Sequence, residues 1–198
     1  MYRLLETIKI KDGVMQNVFL HNQRMNNSRL LLFGKDNFIN LEEEIDLEDD
    51  DFDGIFKCRV LYSNAIEIVE ILPYQIKKIN TLKMVIDNSI SYDYKFEDRK
   101  DIANLYLKKE NYDDVLIIKD GFVTDTSYCN IVFDTGNKLI TPSTPLLKGV
   151  KRQQLLNEKI IEEQEIKQTD IKLFSRAFLI NSMFDLDDKM EIAVKNII

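Results

Sequence analysis

The segment GFVTDTSYCN, residues 121–130, is the stretch from which this chain is best interpreted. Its first residue, Gly121, forms with the preceding Asp120 a pair typical of tight turns, which follows the predicted strand of residues 115–119. It ends in a second apolar stretch, residues 129–133, so the pattern predicts a strand, a turn and a further strand. Taken alone, Asp125 is explained as readily by a place in a turn or a cap as by a functional role.

Downstream of this segment the pattern predicts alternating strands and helix. Residues 138–140 read as a strand, and residues 141–148 form a proline-bearing loop. Apolar residues then recur at helical spacing, which predicts an amphipathic helix over residues 150–163. The chain ends in two strand-like stretches, residues 177–180 and residues 190–194.

Upstream, the chain begins with polar and apolar residues that alternate over residues 7–11. Asp12-Gly13 follows, and a second, largely apolar stretch covers residues 14–20, which together predict a β-hairpin. The spacing predicts a helix over residues 21–33. Three further stretches are typical of strands: residues 56–62, 66–72 and 82–86. This part is therefore expected to be an α+β unit with a small antiparallel sheet.

Between the two halves, residues 87–94 are polar and rich in turn-forming residues. A helix is predicted beyond them, over residues 98–109. We therefore place a domain boundary in this polar stretch and predict two domains, residues 1–88 and residues 89–198.

The composition excludes several classes of protein. The 198-residue chain has a net charge of −7, which argues against a nucleic-acid-binding surface. Its apolar runs are too short to cross a membrane, and the charged N-terminus does not resemble a signal peptide. Cys58 and Cys129 lack metal-binding spacing and are compatible with a reducing cytoplasm, where we expect the protein. The acidic run of residues 42–53 is interpreted as a solvated loop and helix face.

No single residue, taken alone, indicates a catalytic role. Lys95 lies in a mixed-charge segment, for which a solvated lysine is the default interpretation. His21 and Arg24 are three residues apart and share a face if they lie on a helix. Because His21 is the only histidine, a Ser-His-Asp triad and a histidine-rich metal site are both disfavoured, and no metal is expected.

Five short motifs, taken in order, resemble those of the class-IV aminotransferase family. They are His21-Asn-Gln-Arg24, Lys95-x-x-x-Arg99, Gly121 to Asn130, Thr141-Pro142 with Leu147 to Arg152, and Phe178 to Ser182. Each motif is unspecific alone, and their order along residues 21–182 carries the resemblance. It implies an α+β fold of PLP fold type IV, similar to D-amino-acid aminotransferase. The small α+β domain would be N-terminal, and a larger mixed-sheet domain would bind pyridoxal 5'-phosphate (PLP).

The resemblance also implies roles for individual residues. Lys95 would be the catalytic lysine that binds the cofactor, and Arg24 would bind the cofactor phosphate. Asp125 stands where the family has a glutamate that faces the ring nitrogen, and it is shorter by one methylene group. The phosphate would further be bound by Gly149, Val150, Lys151 and Ser182, at a helix N-terminus where N–H groups are unpaired.

Substrate specificity transfers less well from the resemblance. Relatives carry a G-x-G-hydrophobic-Phe-Glu-Thr stretch with substrate-facing side chains, and this chain starts close to the end of it, at Leu5-Glu6-Thr7. Arg59, Arg99 and Asn181 are the candidates for binding the substrate. For Arg59, a structural arginine paired with a neighbour is an equally good interpretation.

Three interpretations of function stay open. The first is a lyase that removes pyruvate from 4-amino-4-deoxychorismate and leaves 4-aminobenzoate. The second is an amino-acid aminotransferase of the branched-chain or D-amino-acid type. Branched-chain aminotransferases usually carry a tyrosine just beyond the lysine, whereas this chain has Lys100, which favours the lyase. The third is a relative that binds PLP or a partner without turnover. In all three a small-molecule ligand and a homodimer are expected, with neither nucleic acid nor membrane as a partner.

Overall fold

The computed structural model describes residues 2–47 and 52–198. Helices and strands are mixed along the chain, which confirms the predicted α+β class. The chain divides into two units. The first comprises Met1–Ile76 and Tyr94–Asp98, and the second comprises Lys77–Asp93 and Arg99–Ile198.

The first unit contains a four-stranded antiparallel sheet in the order β2-β1-β3-β4. Its strands are β1 (Leu4–Lys11), β2 (Val14–Met15), β3 (Ile55–Tyr62) and β4 (Ile66–Pro73). The predicted hairpin is confirmed at its turn, because Asp12 and Gly13 take positive φ angles of 49° and 77° between β1 and β2. Its second strand is shorter than the predicted run of residues 14–20, since β2 ends at Met15 and residues 18–20 lie in a helix. Positive φ at both central residues matches the twist of the paired strands.

Two helices accompany this sheet, α1 (Val18–Phe33) and α2 (Leu41–Glu44). Met25 of α1 and Leu41 of α2 belong to one apolar core with alternate residues of β1, which are buried while the residues between them are half-buried. The predicted helix over residues 21–33 is confirmed and begins three residues earlier. It ends where Gly34 takes a left-handed conformation with φ of 64°, which suits a glycine.

The second unit contains two sheets. One has the order β5-β6-β7 and the other the order β10-β9-β8-β11-β12. The three strands of the first sheet are β5 (Leu82–Ile86), β6 (Asp114–Lys119) and β7 (Phe122–Thr126). Those of the second are β8 (Asn130–Asp134), β9 (Leu139–Pro142), β10 (Ile161–Gln164), β11 (Arg176–Ile180) and β12 (Glu191–Ala193). Parallel and antiparallel pairs occur together, as predicted for a mixed-sheet domain.

Two further helices lie in this unit, α3 (Lys100–Tyr106) and α4 (Val150–Asn157). Helix α4 connects the parallel strands β9 and β10, and its Leu155 packs in a core with residues of β8, β10 and β11. Arg152 of α4 is buried and donates to the carbonyl of Pro142, at 2.9 Å, and to the carboxylate of Glu163, at 2.5 Å. The helix is thereby held to the strands on both sides of it.

Some predicted elements differ from the structure. The predicted helix over residues 150–163 is wrong beyond Asn157, because Lys159 takes a positive φ of 58° and the chain reverses into β10. The helix predicted over residues 98–109 is shorter, since α3 passes into a 3₁₀ turn at residues 107–109. Strand β7 was not predicted as a strand.

The division into units also differs from the predicted boundary between residues 88 and 89. That position lies in the second unit, because β5 pairs in parallel with β6. Residues 94–98 return to the first unit, where Phe96 forms an antiparallel bridge with Leu4.

Two expectations concern the exterior of the protein. In the acidic run, Glu42, Glu43 and Glu44 are exposed on α2, as a solvated helix face requires, and residues 48–51 lie outside the described residues. Across residues 2–47 and 52–198, no helix has the length and apolar character needed to cross a membrane.

Candidate active site

A buried carboxylate, Glu6 of β1, organises the predicted site residues of the first unit. Its side chain is fully buried and accepts hydrogen bonds from two residues of α1. His21 donates through Nδ1 at 2.6 Å, and Arg24 donates through Nε at 2.8 Å and Nη2 at 2.5 Å. The spacing of three residues places His21 and Arg24 on one face of α1, as expected.

The protonation states in this cluster follow from burial and from the contacts among its three residues. Burial alone would raise the pKa of Glu6, but the charge of Arg24 and the hydrogen bonds from His21 and Arg24 outweigh it and lower the pKa to about 2. Burial lowers the pKa of His21 despite the neighbouring carboxylate. His21 is therefore neutral at pH 7 and carries its proton on Nδ1, because the ionised Glu6 can only accept. Its Nε2 is buried, and none of the described residues supplies a hydrogen-bond partner for it.

Lys95 lies beside this cluster. Its carbonyl accepts a hydrogen bond from the Leu5 amide at 2.9 Å, and the Glu97 amide donates to the Arg3 carbonyl at the same distance. The segment is thus attached to the beginning of β1, next to Glu6. The positive charge of Lys95 also contributes to the lowered pKa of His21. The structure therefore brings Lys95 and Arg24 together, although they are 71 positions apart in the sequence.

Arg59 does not join this cluster. It lies on β3 opposite Thr7, one register position away from Glu6 and therefore on the other face of the sheet. There it forms an ion pair with Glu70 of β4 at 2.6 Å. This is the partner-paired state considered for Arg59 from the sequence. A role for Arg59 in binding substrate stays a prediction.

In the second unit, Asp125 lies on β7 as a buried carboxylate. Its Oδ1 accepts from Asn130 Nδ2 at 2.7 Å, and its Oδ2 accepts from the Leu147 amide at 2.9 Å. Burial raises the pKa of Asp125 to about 6, because these neutral donors and the more distant charge of Arg152 do not offset the loss of water. A cation placed directly beside Asp125 would stabilise the ionised form of its carboxyl group.

This raised pKa predicts a pH-dependent stability of the cofactor-free protein. A carboxyl group whose folded pKa lies above its ordinary value of 3.8 binds its proton more tightly in the folded state. Its stabilising contribution is therefore present at low pH and is lost as the pH rises through about 6. Between about pH 5 and about pH 7.5 the wild-type protein should lose roughly 1 kcal/mol relative to Asp125→Asn. Urea unfolding of both proteins measures this difference, and parallel pH profiles would contradict it.

Gly149 has a steric reason to be glycine. Its φ of −67° and ψ of 146° are open to any residue, so conformational freedom does not require glycine here. A Cβ atom at this position, however, would lie 2.1 Å from Asn130 Oδ1. Gly149 therefore leaves the space that the Asn130 side chain occupies, and its contact with a phosphate stays a prediction.

Gly149 is followed directly by α4, whose N-terminus has no side-chain cap. The first N–H groups of a helix have no partner within the helix, so those of Val150 and Lys151 are available to an anion. The Lys151 ammonium is largely buried and pairs with Asp185 at 3.1 Å. That ion pair ties the turn after β11, which carries Ser182, to the first turn of α4. The Ser182 hydroxyl is half-buried and makes no hydrogen bond within the described residues.

Two of the candidate substrate-binding residues of this unit, Asn181 and Arg99, make contacts with neighbouring residues of the protein. The Asn181 carbonyl oxygen accepts from the Met183 amide at 2.8 Å, and its amide group lies 3.4 Å from Cys129 Sγ. The Arg99 guanidinium donates to the carbonyl of Ser127, two residues from Asp125, and lies over the Tyr92 ring. Their roles toward a substrate stay predictions.

The structure therefore assembles two groups of predicted residues. The first unit holds Lys95 and Arg24. The second holds Asp125, Gly149, Val150, Lys151 and Ser182 around one loop and one helix N-terminus. Two residues at the centres of these groups, Glu6 and Asn130, were not predicted as site residues. A signal was present for each, since Glu6 continues the buried phase of Ile8 and Ile10, and Asn130 closes the segment that contains Asp125.

Among the described residues, no cluster of three or more histidine, cysteine, aspartate or glutamate side chains is arranged to bind a metal ion.

Comparisons with known proteins agree with the sequence motifs. A profile of the amino-transferase class IV family matches residues 97–186. It includes Asp125, Gly149 and Ser182 and begins two residues after Lys95. An uncharacterized protein of Haemophilus influenzae is 37% identical over 185 residues, which cover 92% of this chain and 98% of that protein.

Two solved structures extend the comparison. A protein of Haemophilus somnus 129PT, provisionally named a 4-amino-4-deoxychorismate lyase, has a TM-score of 0.86 at 35% identity and covers 92% of this chain and 97% of its own. A hypothetical aminotransferase of Mycobacterium tuberculosis, solved in a PLP-bound form, has a TM-score of 0.71 at 17% identity, covers 92% of this chain and 78% of its own, and shares the fold.

Proposed function

Because this chain belongs to the class-IV aminotransferase family and is a PLP-dependent enzyme, we propose that it is a 4-amino-4-deoxychorismate lyase that releases pyruvate and 4-aminobenzoate. The observation that carries the proposal is its similarity to the Haemophilus somnus protein, which extends over nearly the whole of both chains. Lys100 agrees with it, since it stands where branched-chain aminotransferases usually have tyrosine and is exposed at the first residue of α3.

The residues of the second unit fit the chemistry of the cofactor. Its phosphate requires N–H and hydroxyl donors, which the uncapped N-terminus of α4 and the unpartnered Ser182 hydroxyl offer. Its protonated ring nitrogen requires a carboxylate, and the donors that the described residues place on buried Asp125, from Asn130 and Leu147, are neutral. In the first unit, Lys95 offers an amine. Arg24 offers a guanidinium that is oriented by Glu6.

These residues have distinct tasks in the proposed reaction. Bound PLP supplies an electron sink for the charge that develops when a bond of the substrate breaks. The amine of Lys95 holds the cofactor and afterwards takes a proton from the substrate and returns one to it, as general base and acid. In the second unit, the N-terminus of α4 and Ser182 would hold the phosphate; for Arg24 of the first unit, a phosphate-binding role is what the family resemblance implies. Asp125 keeps the ring nitrogen protonated as long as its own carboxyl group is ionised.

The lyase and the aminotransferase differ in what they consume and release. We expect the purified PLP-loaded enzyme to convert enzymatically prepared 4-amino-4-deoxychorismate to 4-aminobenzoate and pyruvate in equal amounts. The first product is followed by its fluorescence and the second by coupled reduction with lactate dehydrogenase. With pairs of an amino acid and a 2-oxo acid we expect no turnover. Amino-group transfer without release of 4-aminobenzoate would contradict the lyase and establish the aminotransferase instead.

We further propose, from the family resemblance, that the enzyme works as a homodimer in the cytoplasm. The two cysteines, Cys58 and Cys129, are buried as free thiols, which is compatible with a reducing compartment. Light scattering on the protein as it elutes from a size-exclusion column would measure its molecular mass in solution. A value near 23.3 kDa, the mass of one chain, would contradict the dimer.

A further inference from the structure

Asn130 connects the two parts of the proposed cofactor site that lie in the second unit. Its Nδ2 donates at 2.7 Å to Asp125 Oδ1 and at 2.9 Å to the Leu147 carbonyl. The other carboxylate oxygen of Asp125 accepts from the Leu147 amide at 2.9 Å. Asp125, Asn130 and Leu147 therefore form a closed ring of three hydrogen bonds, and two residues later the chain reaches the N-terminal end of α4.

The orientation of the Asn130 amide follows from its partners. The Asp125 carboxylate and the Leu147 carbonyl are both acceptors, so the side-chain nitrogen must face them. The side-chain oxygen then points to the opposite side, toward Gly149. There it occupies the place that a Cβ atom of residue 149 would need, with the three nearest atoms to that position all belonging to Asn130.

The ring has a consequence for both ends of the cofactor. Asp125 is the carboxylate proposed for the ring nitrogen, and Gly149 precedes the N–H groups proposed for the phosphate. These two elements come from different parts of the sequence, and Asn130 is in direct contact with both. A shift of the Asn130 side chain would move the carboxylate relative to the helix N-terminus, and one rigid cofactor must fit both.

We propose that Asn130 is a positioning residue that sets the spacing between the Asp125 carboxylate and the phosphate-binding N-terminus of α4, and that Gly149 is glycine in order to admit it. The inference rests on the proposed cofactor-binding roles of Asp125 and α4. It is independent of whether the enzyme is a lyase or an aminotransferase. Asn130 itself touches neither substrate nor the reacting atoms in this role.

Four variants test the proposal through the dissociation constant of PLP, measured by fluorescence quenching. Asn130→Ala should weaken PLP binding about 10-fold, because it removes both hydrogen bonds. Asn130→Asp should weaken it about 100-fold, because it replaces the donor with a charge that repels Asp125. Gly149→Ala should also weaken it about 100-fold through the clash with Asn130. The double variant Asn130→Ala/Gly149→Ala should bind PLP as well as Asn130→Ala alone, because no atom remains to clash.

The recovery relative to Gly149→Ala is the decisive result, since general damage to the fold by the added methyl group would not be repaired by truncating Asn130. Thr141→Val is the matched control. It removes a buried hydrogen bond of the same unit, from Thr141 Oγ1 to the Ile131 carbonyl at 2.8 Å, and should leave PLP affinity within about twofold. Circular dichroism and thermal melting show whether each variant folds.

Two results would overturn the proposal: a folded Asn130→Asp protein with wild-type affinity for PLP, or a double variant as weak as the product of the two single effects. Failure of the proposed function looks different. A wild-type protein that binds PLP but releases no 4-aminobenzoate contradicts only the lyase, and the comparison among the variants keeps its meaning.

Discussion

Lys95→Ala is expected to abolish turnover, with a loss of more than about 10⁴-fold, and to remove the visible absorbance of the lysine-bound cofactor. In the proposed mechanism the amine serves both as the covalent attachment and as the proton carrier, and neither Arg24 nor His21 can combine these two roles. Arg24 stays charged at all relevant pH values and so cannot act as a base. His21 is buried and directed at Glu6 through Nδ1.

The substitution should leave the fold intact. The segment around Lys95 is held to β1 by backbone hydrogen bonds of Lys95 and Glu97, which do not depend on the Lys95 side chain. Loss of activity is therefore attributable to the amine. Lys95→Arg retains the positive charge without a usable nucleophile and should be equally inactive.

Lys57→Ala is the control for Lys95. This lysine lies in the same unit on β3, with its ammonium 5.6 Å from the centre of the Tyr74 ring. Activity and absorbance should stay near wild type, because no role in the site is proposed for it. A folded Lys95→Ala protein that still shows the absorbance of a lysine-bound cofactor would refute the assignment of Lys95.

Glu6→Gln is expected to have the largest effect on stability, with a loss of about 3–5 kcal/mol in the free energy of unfolding. Glu6 is the counter-charge of Arg24 and the acceptor for His21, and all three groups have little or no access to water. The amide removes the negative charge and turns one acceptor into a donor that faces a donor. Arg24 loses the buried negative charge that its guanidinium contacts at 2.5 Å, which accounts for most of the loss.

The same substitution should weaken PLP binding, because Arg24 loses the carboxylate that orients its guanidinium. Glu70→Gln provides the matched control. Glu70 forms an ion pair with Arg59 on the same sheet, at 2.6 Å, but both side chains are substantially exposed. Its removal should change the free energy of unfolding by less than about 1 kcal/mol. Denaturant unfolding compares the two variants, and equal losses would show that the Glu6 cluster is not a buried charge pair of the proposed kind.

The elements that were predicted well are those with a local signal. The hairpin at Asp12-Gly13 was readable because the turn requires positive φ at two adjacent residues, which this pair tolerates. Strand β5 was predicted with its observed bounds, from an apolar stretch between polar residues. Its partner was not, since the choice of β6 depends on how a later part of the chain folds back. The predicted domain boundary differs from the observed division for this reason.

The wrong end of α4 has a similar cause. Apolar residues at positions 155, 156, 160 and 161 satisfy helical spacing, but Leu155 lies on the helix while Ile161 lies in β10. Both residues reach the same core from different elements. The spacing of apolar residues indicates which residues are buried, but it does not show whether each of them lies on a helix or on a strand.

Local patterns predicted the α+β class, and the family resemblance carried by five motifs in order implied the cofactor, because both depend on residues that can be compared along the chain. The choice of Lys95 comes from the same resemblance and stays a prediction. The tertiary structure alone decided that Glu6 orients Arg24, that burial raises the pKa of Asp125 to about 6, and that Gly149 makes room for Asn130. Each of these facts is a distance or a loss of water between residues far apart in sequence. Segment 121–130 is an example of both: its resemblance to a family motif singled out Asp125, but only the folded chain showed that Asn130 donates a hydrogen bond to that carboxylate.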